Sequence, residues 1–198
     1  MGRRSDHTRD ELRAMLLAAA EETIREEGFR AVTARALAKR IGYSVGTVYN
    51  LFDSLDDLIL EVNGRSLDAL YEALTTGATG ADPQETLRGF ARAYVAFATE
   101  NRHMWNALFE HSMAPGGAVS DAYLGKVNKL FGLVEAALAP LFAAADTKGR
   151  RRSALILWSS LHGICSLAMA GKLDLVAVQG IGEMADSLVE TYLAGLRA

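Results

Sequence analysis

Residues 33–52 read TARALAKRIGYSVGTVYNLF, and the reading of this stretch decides the fold. Thr33 stands where a helix N-cap belongs, Gly42 where a helix ends, and Ser44 where the next helix starts. Two short helices separated by Gly42-Tyr43-Ser44 have the length and turn of a helix-turn-helix. Ala34, Leu37, Ala38 and Ile41 make a small apolar face for the first of them. That face can pack against Val48 of the second helix and on Leu16 and Ile24 upstream. Around an inward Val48, the second helix (about Val45 to Leu51) exposes Ser44, Val45, Thr47 and Asn50.

Short side chains of these types suit the edges of bases in a major groove. Valine and the threonine methyl fit a thymine methyl, and an asparagine amide pairs bidentately with adenine. Thr33, Tyr43 and Tyr49 carry hydroxyls near helix ends, suited to phosphate oxygens, and Arg35 adds a cation beside them. Free amides at helix N-termini add a phosphate cradle that is blind to sequence. On pattern alone, the same glycine-separated helices also occur in plain bundles.

Outward from this stretch, almost everything reads as helix. Thr8-Arg9-Asp10-Glu11 is a capping box that opens a helix carrying Leu12, Met15, Leu16, Ala19 and Ile24 on one face and ending at Gly28. Ser54 opens a longer helix to about Thr76. Asp82-Pro83-Gln84-Glu85 opens the next, which runs to about Glu100. A short helix covers about Arg102 to Ser112, and the cluster Met113-Ala114-Pro115-Gly116-Gly117 is a loop. Helices then follow at about 120–145, 149–171 and 180–197. No stretch alternates with period two, so the class is all-α, with about nine helices.

The composition bounds what such a chain does. Its 198 residues carry 21 Lys+Arg against 24 Asp+Glu, a net charge of −3, so a globally basic nucleic-acid binder is excluded. Through residue 52 the balance is +2, against −5 for the rest, so any DNA contact is local. The sole cysteine excludes an internal disulfide and C-x-x-C motifs. Cys165 sits on an apolar helix and reads as a small buried hydrophobe. His7, His103, His111 and His162 are scattered without metal spacing, and there is no nucleophile elbow, P-loop or dinucleotide fingerprint. No enzyme, metal or cofactor is therefore expected. The run 153–171 has nineteen uncharged residues, near the length of a membrane span. Its four serines, histidine and two glycines favour a helix buried in a core or between subunits.

Residues 8–62 resemble the DNA-binding region of the tetracycline-repressor (TetR) family of bacterial transcriptional regulators. The resemblance rests on Glu26-Glu27-Gly28-Phe29, Val32-Thr33, Leu37 through Ser44, Gly46-Thr47-Val48-Tyr49, Phe52 and Ser54-Leu55-Asp56-Asp57-Leu58. It implies a three-helix domain on a long fourth helix, inserted as a dimer into successive major grooves, with Thr33, Tyr43, Ser44, Thr47 and Tyr49 meeting DNA. Leu55 departs from the family, where a lysine commonly touches phosphate, and Asn50 replaces a commoner aromatic. Further on, Trp158-Ser-Ser-Leu-His162-Gly163 with Ala168 through Leu173 resembles the ligand-binding region of the subgroup named for its Trp, His and Gly (WHG). In that family, this helix and the last one pack on their dimer mates as a four-helix bundle.

The expectation is thus a cytoplasmic, homodimeric, ligand-responsive repressor of palindromic operator DNA, without a membrane segment. Residues 1–53 form the helix-turn-helix domain and 54–198 a helical ligand-binding and dimerisation domain. The DNA-binding set is Thr33, Arg35, Tyr43, Ser44, Val45, Thr47, Tyr49 and Asn50. A small apolar or aromatic effector is expected at Phe97, His103, Met104, Trp105, Phe109 and Trp158. Trp158, His162, Gly163, Met184, Leu188 and Tyr192 are expected at the dimer interface. The rival expectation is a helical small-molecule-binding protein or enzyme that does not bind DNA.

Overall fold

The computed structural model describes residues 7–77, 82–112, 119–173 and 180–197. Among these residues the chain is all-α. Helix α1 (Arg9–Glu27) starts at the expected capping box, with Glu11 N donating to Thr8 Oγ1 at 3.2 Å and Thr8 N donating to Glu11 Oε2 at 2.6 Å. That backbone bond from Thr8 holds the Glu11 carboxyl below its ordinary pKa. Gly28 ends the helix at φ 86°, a 3₁₀ turn (Phe29–Ala31) follows, and Thr33 caps α2 (Ala34–Ile41) by accepting from Ala36 N at 3.1 Å. Gly42, left-handed at φ 77°, turns the chain into α3 (Val45–Leu51).

Ser44 stands at the N-cap of α3 as expected, but does not cap it with its side chain. Its hydroxyl makes no cap bond and lies 3.2 Å from the Thr47 hydroxyl instead. The first turn of α3 is closed by backbone alone, Thr47 N donating to Ser44 O at 3.0 Å.

Helix α4 (Leu55–Gly77) starts where Ser54 Oγ accepts from Asp57 N, and α5 (Pro83–Glu100) where one Asp82 oxygen accepts from both Gln84 N and Glu85 N. Then come α6 (Arg102–Glu110) and α7 (Asp121–Leu138). Helix α7 stops short of the expected residue 145. Pro140 cannot continue an α-helix, and a 3₁₀ turn (Ala139–Leu141) replaces the last turns. Asp146 caps α8 (Thr147–Met169) through Gly149 N, and α9 (Ile181–Arg197) closes the fold. The expected loop at Met113–Gly117 lies outside the described residues.

Two compact units are present: residues 1–66 with 103–123, and residues 67–102 with 124–198. In the first, Leu16, Ala20, Ile24, Leu37 and Val48 are fully buried in one cluster with Phe52, Leu58 and Val62. Met104 and Ala107 of α6 belong to this cluster too, so α6 is part of the helix-turn-helix unit. In the second, α5, α8 and α9 pack together over Phe90, Tyr94, Leu157, Leu161, Val189 and Leu193. Ion pairs Arg92–Asp186 (2.7 Å) and Arg88–Glu190 (3.1 Å) line the α5–α9 seam. Exposed as they are, such pairs contribute little to stability. Among the described residues, no helix is long and apolar enough to cross a membrane.

Leu16 is wholly buried beneath both short helices. Leu16→Ala should therefore cost about 2–5 kcal/mol of stability, measured by urea denaturation of the purified chain.

Candidate nucleic-acid interface

Val48 and Leu51 anchor α3 from below, being 0% and 8% exposed. A helix turns about 100° per residue, so anchoring those two fixes the outward arc. Val45 (39% exposed), Gly46, Tyr49 (54% exposed) and Asn50 occupy it, with Thr47 half-buried at its edge. Thr33 and Arg35 are exposed at the start of α2. Because Thr33 Oγ1 already accepts from Ala36 N, its own proton is left to donate outward.

Three more of the expected residues have partners within the chain. Tyr43 is half-buried, its hydroxyl 2.7 Å from His7 Nδ1 and its ring edge-on to the imidazole. Ser44 and Thr47 share the hydroxyl contact described above. All eight expected DNA residues thus lie on the α2–α3 segment of the first unit. Tyr49 and Asn50 are its most outward polar side chains on α3.

Arg13 and Arg40 are among the basic residues behind the +2 balance through residue 52, but the structure gives both an internal task. Arg13 donates to Leu51 O at 3.2 Å, pairs with Glu61 and lies 4.2 Å above the Phe52 ring. One guanidinium thereby ties α1 to the end of α3 and to α4. Arg40 bridges Glu26 (2.7 Å) and Glu22 (3.2 Å) of α1, and the Glu26 bond raises its pKa. Only tertiary structure reveals these pairings, because the partners are separated by many residues. Arg35 and Lys39 remain as exposed cations on α2.

The expected effector residues divide between the units. His103, Met104, Trp105 and Phe109 share α6 in the first. His103 Nδ1 donates to Arg25 O at 2.9 Å, Met104 and Trp105 are buried, and Phe109 is 40% exposed with its ring 5.0 Å from Trp105. Two further bonds hold α6 to α4: Asn63 Nδ2 donates to Ala107 O at 3.2 Å, and His111 Nε2 meets Asp56 Oδ1 at 3.0 Å. In the second unit, Phe97 is buried, while Trp158 meets Phe131 edge-on and stacks on His162 at 5.6 Å. His162 Nδ1 lies 3.1 Å from the Tyr94 hydroxyl, and burial lowers its pKa.

Of the residues expected at a dimer interface, Trp158, His162, Gly163, Met184, Leu188 and Tyr192 are all half-buried. More exposed on α8 are Leu155 (40%), Ile156 (42%) and Leu167 (49%), which the uncharged run contained but did not single out. Burial pushes the Cys165 thiol up to about 11, the state of an unreactive cysteine. Among the described residues, no His, Cys, Asp and Glu cluster is suited to hold a metal ion.

Two family models match the chain. The model described as "Bacterial regulatory proteins, tetR family" covers residues 16–62, the segment holding α2 and α3. The model described as "Tetracyclin repressor-like, C-terminal domain" covers residues 87–192, more than half of the chain. The chain belongs to the TetR family. This TetR-family regulator is 29% identical to the uncharacterized HTH-type transcriptional regulator YobS of Bacillus subtilis, over 92% of its own length and 91% of YobS. It is 28% identical to the uncharacterized HTH-type regulator Rv0681 of Mycobacterium tuberculosis, over 75% of its own length and 66% of that protein. Its fold matches a protein of unknown function from Rhodococcus sp. RHA1 with a TM-score of 0.75, at 24% identity and full coverage of both chains. The family, YobS and Rv0681 are named as regulators of transcription, not enzymes.

The lowered His162 pKa has a consequence with a definite sign. Below its ordinary value of 6.5, the unfolded chain takes up a proton there that the folded chain resists. Stability should therefore fall as pH drops below about 6.5, and His162→Gln should flatten that part of the profile in thermal melts across pH 5–8.

Proposed function

We propose that this TetR-family regulator is a dimeric, ligand-responsive repressor that reads a palindromic operator with α3. The observation that carries the reading is the outward arc of α3, where Val45, Tyr49 and Asn50 stand exposed over a fully buried Val48. Thr33, Arg35, Tyr43, Ser44 and Thr47 flank the arc and supply hydroxyls and one cation for phosphates. Residues 1–53 hold the whole contact set, and 54–198 the effector and dimer functions.

The dimer reading is supported by α8 and α9. Leu155, Ile156 and Leu167 are exposed apolar side chains on the uncharged stretch of α8, which suits a helix covered by a partner subunit. Gly163 and Gly195 have no atom within 4 Å of where a Cβ would stand, which leaves room for a partner helix to approach closely. The stacked pair Trp158–His162 beside Gly163 supports placing the second unit with the WHG kind. Aromatic walls, Trp105 on Phe109 in one unit and Phe131 on Trp158 in the other, suit an apolar or aromatic effector. An effector that prefers a conformation with another spacing of the two recognition helices drains the DNA-competent population.

The test starts from duplexes selected from random-sequence DNA on the wild-type protein. Tyr49→Ala should weaken binding of the selected duplex by roughly 10–100-fold, as read by fluorescence anisotropy. Light scattering should show the same dimer mass for both proteins. Unchanged affinity in Tyr49→Ala, or no enriched palindrome, contradicts the reading.

A further inference from the structure

At the centre of the outward arc of α3 there is no side chain at all. Val48 and Leu51 point into the core, and the direction opposite their midpoint belongs to Gly46, with Tyr49 to one side and Asn50 to the other. Glycine within a helix is disfavoured relative to alanine, so its presence calls for a reason. The two usual reasons fail here. Gly46 is not among the described glycines at positive φ, which are Gly28, Gly42 and Gly171, so the backbone does not demand it. Packing does not demand it either: a Cβ at Gly46 would meet only Ser44 Oγ, at 3.6 Å, an ordinary contact. Gly149 shows the contrast, since a Cβ there would stand 2.3 Å from its own cap, Asp146 Oδ2.

Other helical glycines such as Gly132 face open space too; Gly46 differs in standing at the centre of the arc proposed to meet DNA, where a surface outside the chain can come closer to the backbone than a methyl group allows. We infer that Gly46 is the point of closest approach between α3 and the duplex, a notch that seats the helix on a base-pair edge. Val45, Tyr49 and Asn50 then reach down on either side of it. The role is one of shape: the missing methyl sets how deep the helix sits, and so which atoms its neighbours reach. This inference rests on the proposed DNA contact of α3.

The experiment uses the full-length dimer and the duplex selected on the wild-type protein. Gly46→Ala should leave the melting midpoint unchanged or raise it by about 1–3 °C, because alanine favours the helix and has room. Its affinity for the duplex should nevertheless fall by roughly tenfold or more. Gly132→Ala on α7, also into open space, serves as the control and should leave duplex affinity unchanged. Duplex affinity of Gly46→Ala within about twofold of wild type, with Tyr49→Ala still impaired, overturns the role of Gly46 and leaves the DNA reading intact. A melting midpoint lowered by several degrees overturns it differently, by showing that the fold requires the glycine. If Tyr49→Ala and Gly46→Ala both bind normally, α3 does not face the duplex, and both readings fall.

Discussion

The burial of one face of α1 beneath α2 and α3 is the constraint on which the rest depends. Helices of eight and seven residues are too short to persist alone in water, so α2 and α3 exist only as lids on that face. Leu37 and Val48 are fully buried there with Leu16, Ala20 and Ile24. The same contact that makes α3 a helix also fixes its rotation. With Val48 and Leu51 held inward, Val45, Gly46, Tyr49 and Asn50 have no direction left but outward. Arg13 adds a tether from α1 to the end of α3 and to α4, so the outward face of α3 is positioned by core and clamp together.

Charge plays a smaller part than a count of cations implies. Arg13 and Arg40, two of the basic residues near the helix-turn-helix, are occupied by Glu61 and by Glu22 and Glu26. Among the described residues, α2 and α3 of this chain of net charge −3 keep Arg35 and Lys39 as exposed cations outside the ion pairs described. Shape and hydroxyl groups therefore carry more of the proposed contact, and the depth at which α3 sits becomes decisive.

Much of this was legible in the sequence because it is written locally. Capping residues and glycines act within a few positions of themselves, so Thr8, Thr33, Gly42, Ser54 and Asp82 marked helix boundaries correctly. The apolar spacing of α1 and α2 likewise foretold the cluster that forms. Side-chain pairing across long separations was not legible. Nothing in the spacing of Arg13 and Glu61 shows that they meet, nor that α6 joins the first unit through Asn63 and His111. Ser44 stands at the N-cap as its position implied, but its hydroxyl makes no cap bond and meets Thr47 instead. The break before α8 was expected at about residues 145–149, but Pro140 ends the α-helix earlier, so that α7 stops at Leu138.

The central claim is that two copies of α3, each held outward by its buried Val48, read one duplex together. Hydroxyl-radical footprinting of the selected duplex tests this most directly, because it maps contact along the helix axis without assuming which residues make it. The account predicts two protected segments on one face of the duplex, about 34–36 Å apart, one for each recognition helix. A single protected segment, or uniform protection without that spacing, would contradict it.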